Sequence, residues 1–269
     1  MLIKEEAHVD TPTVLSLYSG GGGLDLGVKR AIPSANTVCY VERELPAIGV
    51  LLKQIQAGAL DDAPIWTDSG TFFGVQWRGL VDWIIGGFPC QPVSRAGALK
   101  QQADPRWLWP TIKELLSDIQ PSGVFLENVP GLLDGPIQEV LGDLATLGYN
   151  AEWDVFSAGE VGAPHLRQRV FILATHPERF RYPQSWNSGH HSSDNSTRER
   201  RDAWQSTNAV DALLAGDVSV VCREHDGMAQ RLDRSERLRI IGNGVVPQQA
   251  ELALNTLLSR RLTHEHYVE

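Results

Sequence analysis

The stretch Thr13-Val14-Leu15-Ser16-Leu17-Tyr18-Ser19-Gly20-Gly21-Gly22-Gly23 decides the fold. Its first six residues read as a buried strand, and the glycines release the backbone into a tight turn. Leu24, Leu26, Val28, Ala31 and Ile32 then recur at helical spacing. Strand, glycine turn and helix make a cradle, in which a ligand can approach bare backbone and the free N–H groups of a helix start. A glycine run can also be only a flexible turn; its place between strand and helix favours the cradle.

Outward from that unit the chain alternates. Residues 37–41 read as a second strand ending at Glu42, about 20 positions beyond the glycine turn, where a ribose-binding carboxylate is expected. Arg43 and Glu44 follow, so Glu42 as a plain surface charge is the other reading. A helical pattern over 45–60 leads to a short strand, 65–67, which ends at Asp68. The apolar run 81–85 is a fourth strand and runs into Gly86-Gly87-Phe88-Pro89-Cys90-Gln91-Pro92-Val93-Ser94. Two glycines and a proline set a thiol just beyond a strand's carboxyl end, where open α/β sheets hold their ligands. A small buried hydrophobe is the alternative for Cys90.

Residues 91–106 form a long polar loop, and long loops in compact domains are usually functional. Helix 107–119, strand 123–126 ending at Glu127-Asn128-Val129, helix 136–147 and strands 153–158 and 170–174 follow, the last two flanking Gly162 to Arg169. From Thr175 to about Gln230 the pattern collapses into Ser, Asn, His, Arg and Gly, with Trp186 and Trp204 as isolated aromatics. This is either an irregular lobe or a partly disordered insert. Gly242-Asn243-Gly244-Val245-Val246-Pro247 opens a C-terminal helix reaching about Leu262. The alternation predicts an α/β fold with a doubly wound, mostly parallel sheet. Three units are expected: a ligand-binding domain over 1–174, a small lobe over 175–230, and a segment over 231–269 that returns to the first domain.

Composition narrows the class. At 269 residues and 42% hydrophobic, the chain can bury a full core, and no run is long enough to span a bilayer. The start, Met1 to Glu6, lacks a signal-peptide core, so a soluble cytoplasmic protein away from membranes is expected. Cys39, Cys90 and Cys222 are odd in number and have no metal-site spacing, which suggests neither a disulfide framework nor a zinc site. The net charge of −9 argues mildly against a nucleic-acid partner. It is unevenly spread, however. Residues 1–175 hold 12 Lys+Arg against 20 Asp+Glu, whereas 176–240 hold 10 Arg and 10 Asp+Glu. Arginine suits phosphates and guanine edges, although a solvated polar surface would read the same way.

Together these stretches resemble the DNA cytosine-5 methyltransferase family. Five segments carry the resemblance in the family's order: 17–27, 87–94, Glu127-Asn128-Val129, Arg167-Gln168-Arg169 and Gly242 to Pro247. They span roughly 13–174 and 227–260. The chain departs from the family pattern at Ser16 (commonly an acid), at His165 (usually Gln) and at Trp107-Leu108-Trp109, where a glycine is common.

The resemblance implies a Rossmann-like sheet that binds S-adenosyl-L-methionine and releases S-adenosyl-L-homocysteine. Tyr18, Gly20, Gly22 and Gly23 would cradle that cofactor, Glu42 would hold its ribose and Asp68 its adenine amino group. Pro89, Asn243 and Val245 would complete the pocket. Cys90 would be the nucleophile and Glu127 the acid at the cytosine N3. Arg169 would lie near O2, with Arg167 supporting. Alternation along one strand lets both arginines point into one cleft. Double-stranded DNA would be the partner, with its cytosine flipped out. Gln91 and Ser94 would sit near it, and Arg198, Arg200, Arg201 and Arg223 would read it from a target-recognition lobe. A monomer in a bacterial or phage-infected cytoplasm is expected; a companion restriction endonuclease is not inferable. Two readings compete. One is a transfer-RNA cytosine methyltransferase, against which stands the lack of a Cys-Phe-Thr signature. The other is an inactive DNA-binding relative.

Overall fold

The structure, a computed structural model, describes residues 8–9, 11–89, 107–186 and 242–265. Its strands are β1 (His8–Val9), β2 (Thr13–Leu17), β3 (Asn36–Val41), β4 (Ile65–Trp66), β5 (Trp83–Gly87), β6 (Gly123–Asn128), β7 (Asn150–Ser157), β8 (Gln168–Thr175) and β9 (Tyr182–Pro183). The helices are α1 (Gly23–Ala31), α2 (Leu45–Gln56), α3 (Trp109–Ile119), α4 (Ile137–Thr146) and α5 (Pro247–Glu265). Seven strands make one sheet in the order β4-β3-β2-β5-β6-β8-β7. Strands β2 to β6 pair in parallel, and β8 runs antiparallel to both its neighbours. Beside the sheet, β1 and β9 form a short parallel bridge.

Strand alternation divides the core into two layers. Leu15 and Leu17 of β2, Val124 and Leu126 of β6, and Ile172 and Ala174 of β8 join one cluster with Ile112 and Leu116 of α3 and Val140 and Leu144 of α4. Val14, Phe125, Phe171 and Leu173 face the other way. They meet Leu24 and Val28 of α1 and Ala250, Leu254 and Leu257 of α5. Covering both faces makes the sheet doubly wound, as the alternation of patterns predicts.

The differences from the sequence reading are local. Helix α2 stops at Gln56 rather than 60, because the chain turns through Gly58 at φ 70°. Helix α3 starts at Trp109, with Pro110 in its first turn, where a missing N–H costs nothing. Strand β5 begins at Trp83 and runs on into Gly86 and Gly87; Asp82, just ahead of it, accepts from the Thr13 amide and hydroxyl at 2.8 Å. Strand β7 begins at Asn150. Helix α5 begins at Pro247; 242–243 are themselves helical, and 244–246 form the non-helical approach to it.

Trp186 is not isolated. It stacks on Tyr182 at 5.5 Å, and its indole N–H donates to Asn255 Oδ1 at 2.9 Å. Phe180 and Tyr182 are buried in the layer that α5 covers. The polar composition around them hides this docking, because three aromatics spaced over 180–186 have neither a strand nor a helix period.

Candidate active site

Where β2 gives way to α1 and α5 approaches, a cleft opens to solvent. Its lining includes Tyr18, Gly20, Gly23, Glu127, Asn243 and Val245, all candidate site residues, together with Ser16, where the chain departs from the family pattern, and Ser19 and Gly87, to which the sequence reading assigns no role. The backbone geometry explains the glycines. Gly20 has φ 56° and nothing within 4 Å of a notional Cβ, so its bare backbone faces open space. A Cβ on Gly23 would lie 2.2 Å from the Val245 carbonyl oxygen, so its hydrogen is what lets 243–245 close against the turn. Gly22 does something else: it caps α1 at φ 82° and faces Leu60 and Leu51 rather than the cleft.

Glu42 stands at the end of β3, nearly buried. One carboxylate oxygen accepts from the Gly20 amide at 2.8 Å and the other from the Glu44 amide at 2.7 Å. It therefore fixes the glycine turn through β3. Asp68 is exposed and accepts from the Gly70 amide at 2.9 Å, capping the short turn Ser69–Thr71. Pro89 is also exposed. Neither Asp68 nor Pro89 lines the cleft.

Glu127 is the penultimate residue of β6, in register with Gly87 of β5. It is 6% exposed, and its Oε1 meets Arg169 Nε of β8 at 2.7 Å. In the antiparallel ladder Glu127 stands opposite Phe171, so Arg169 is its diagonal neighbour on the same face. Burial pushes the Glu127 carboxyl up to about 7, outweighing the opposite pull of Arg169 and then Arg167. Such a group holds or yields a proton near neutrality.

Arg167 sits just before β8 with φ 32°. Its Nη2 donates to the Gly242 oxygen at 2.8 Å and also to the Gly244 oxygen. Burial, helped by Arg169, lowers its pKa to about 10. Arg167 thus reaches the cleft wall while Arg169 reaches the acid.

Two polar side chains to which the sequence reading assigns no role, Asn128 within the segment 127–129 and Gln249 outside any such segment, hold the parts together. Asn128 Nδ2 donates to the Phe88 oxygen at 3.0 Å, tying the turn after β5 to β6. Gln249 Nε2 donates to the Phe156 and Arg167 oxygens at 2.7 and 2.9 Å, tying α5 to β7 and β8. The only sequence sign of Gln249 is a polar residue on an otherwise apolar helix face. Phe88 is buried between Trp107 and Trp109, with both ring centroids 5.8 Å away. The departure at 107–109 therefore packs the turn after β5. Cys90, Gln91, Ser94, Arg198, Arg200, Arg201 and Arg223 lie outside the described residues. Among the described residues, no group of His, Cys, Asp and Glu could hold a metal ion, and no helix is long and apolar enough to cross a membrane.

A glycine cradle, a buried carboxyl paired with Arg169, and Arg167 holding the 242–244 backbone thus come together around one cleft of a doubly wound sheet. The chain belongs to the C-5 cytosine-specific DNA methylase family, whose sequence profile matches residues 13–217. It is 32% identical over 179 residues to the type II methyltransferase M.NgoMIV of Neisseria gonorrhoeae, covering 64% of this chain and 55% of that one. To M.NaeI of Lentzea aerocolonigenes it is 32% identical, covering 60% of this chain and 39% of that one. The chain thus spans about half the length of the curated relatives it matches. In fold it is similar to the Entamoeba histolytica methyltransferase EhMeth, with TM-score 0.63, 16% identity, and coverage of 92% of this chain and 98% of that one. It is likewise similar to a Spodoptera frugiperda DNMT2 mutant, with TM-score 0.61, 16% identity, and coverage of 92% and 100%.

Proposed function

We propose that this protein methylates carbon 5 of cytosine in double-stranded DNA, with S-adenosyl-L-methionine as donor and S-adenosyl-L-homocysteine as product. The observation that carries this reading is the position of Glu127: a buried carboxyl poised near neutrality, gripped by Arg169, in the same cleft as the glycine cradle. The cleft fits the cofactor. It offers bare backbone at Gly20, and walls from residues near both ends of the chain. Tyr18, Gly20, Gly23, Asn243 and Val245 would hold it directly, with Glu42 and Gly22 holding the turn in shape. Asp68 and Pro89 are assigned to the rim. The cofactor, when bound, supplies a methyl group on a cationic sulfur.

The chain's own residues do the rest. The Cys90 thiolate adds to carbon 6 of a flipped-out cytosine, and Glu127 shares its proton with N3, so that electron density collects at carbon 5. Arg169 orients Glu127 and faces O2; Arg167 holds the wall at 242–244. After carbon 5 takes the methyl group it loses its proton to a base, and the sulfur–carbon bond breaks to free Cys90. Residues 1–174 and 231–269 are assigned the chemistry and 175–230 the choice of sequence. Gln91 and Ser94 are placed near the DNA, and Arg198, Arg200, Arg201 and Arg223 on phosphates or guanines. A monomer acting in the cytoplasm suits this reading.

Duplex DNA carrying 5-fluorocytosine tests it, because fluorine cannot leave as a proton does. The protein should form a denaturation-resistant adduct in the presence of cofactor, and Cys90→Ser should form none. An adduct that survives in Cys90→Ser would remove the nucleophile. An adduct on transfer RNA and none on duplex DNA would move the substrate class.

A further inference from the structure

One buried acid has no part in that chemistry. Asp25 of α1 is 3% exposed, and among the described residues only the Ser16 hydroxyl and its own amide lie near its carboxyl, neither in full hydrogen-bond geometry. A carboxyl in such a place must either be neutral or meet a positive charge. What lies around it is mostly uncharged or negative. Ser16 of β2 is the hydroxyl beside it, but that Oγ is committed to Ser19 Oγ at 2.8 Å. Tyr40 of β3 is fully buried alongside and donates its hydroxyl to the Asp61 carbonyl at 3.1 Å. Asp61, in the loop beyond α2, adds a like charge and already holds Lys29, the nearest cation of α1. From α5, Glu251 is paired with Arg30 near the other end of α1. Among the described residues no cationic side chain neutralises Asp25, and burial pushes it up to about 7.

What lies beyond the serines is the cleft. Ser16 and Ser19 both line it, and their hydroxyls are hydrogen-bonded to each other, with Ser16 also the hydroxyl beside the Asp25 carboxyl. We propose that Asp25 is a proton-linked counter-charge for a cationic ligand in this cleft. A ligand with net positive charge drives the proton off Asp25, and the Ser16 and Ser19 hydroxyls turn to carry the new negative charge towards it. When the ligand loses its positive charge the proton returns from solvent.

This rests on the assignment of the cleft to S-adenosyl-L-methionine, which is cationic at sulfur and at its amino group and has net charge +1. S-adenosyl-L-homocysteine has lost the sulfonium charge and is neutral overall. The device therefore favours the donor over the product and does so increasingly as pH rises. The Ser16 hydroxyl is then functional, since it connects the cleft to an acid set one layer back.

Calorimetric titration of the full chain with each ligand, at pH 6.5 in buffers of differing ionisation enthalpy, counts the protons released. S-adenosyl-L-methionine should release on the order of half a proton or more, and its affinity should rise by up to about tenfold per pH unit below pH 7. S-adenosyl-L-homocysteine should release much less. Asp25→Asn should bind the donor without release and with a flat pH dependence; Ser16→Ala should reduce the release while leaving Asp25 in place. Glu127→Gln is the needed comparison, because Glu127 also titrates in this cleft. Release that persists in Asp25→Asn, or disappears in Glu127→Gln instead, overturns the proposal while leaving the cofactor assignment standing. If the unmodified protein binds neither ligand, both fail. Should Asp25→Asn not fold, the carboxyl carbon resonance of Asp25, followed against pH with and without donor, gives the same decision. An unmoved midpoint sinks the proposal.

Discussion

Glu127 shows how one residue's role is set by two opposing effects. Its salt bridge to Arg169 favours the ionised form, while burial at the end of β6 favours the neutral one, and burial wins. A carboxyl balanced in this way can share a proton with a ring nitrogen in the transition state without being lost to solvent. Glu127→Gln keeps the shape and removes the exchangeable proton. Turnover should fall by about two to four powers of ten while donor affinity changes little. Single-turnover rates measured beside equilibrium binding check this, and an equal loss in both would assign Glu127 to holding the cofactor instead. Glu127 was legible in the sequence because it is a lone acid at the end of an apolar run. Asp25 was not. In a helix's first turn an acid ordinarily complements the helix dipole, and only the closing of α1 against the sheet and α5 shows that this one is sealed in.

At the scale of elements, the contact of α1 with α5 decides whether the cleft has a second wall. It is built on small residues: a Cβ on Gly27 would lie 2.5 Å from the Ala250 Cβ and 2.7 Å from the Pro247 oxygen. Glycine inside a helix normally costs about 0.5–1 kcal/mol relative to alanine, so replacing it should help where there is room. Gly142 of α4 has nothing within 4 Å of its notional Cβ. Gly142→Ala should therefore stabilise by about that amount, whereas Gly27→Ala should destabilise by about 1–3 kcal/mol through overpacking. Chemical denaturation of both variants reads the two signs, and donor affinity should fall only for Gly27→Ala. The strands and helices were largely legible, since each carries its own period. Their partners were not. Nothing local says that Trp186 will dock on Asn255, or that β8 alone runs backwards in the sheet.

At the scale of the whole molecule, the two raised carboxyls among the described residues contribute a pH dependence to stability. Asp25 and Glu127 rise from ordinary values of 3.8 and 4.5 to about 7 on folding. Between those values the folded chain binds more protons than the unfolded one, so their contribution is full below about pH 4 and declines as pH rises to about 7. The ligand-free protein should lose thermal stability across that window. Asp25→Asn and Glu127→Gln should each flatten the slope, and together flatten it further. Melting temperatures taken across the window check the sign; a rise in stability with pH that these variants leave intact would contradict it.

The wall contributed by α5 also bears on how the protein is made. Arg30 of α1 and Glu251 of α5 form an ion pair across 221 positions of chain. A ribosome emits α1 and the glycine turn early and α5 late. Until α5 emerges, Val245 cannot close against Gly23, and the apolar side of α1 stays uncovered. Nascent chains halted before α5 would therefore lack the cleft's second wall, and the methyl transfer proposed above would have to wait until translation has passed it.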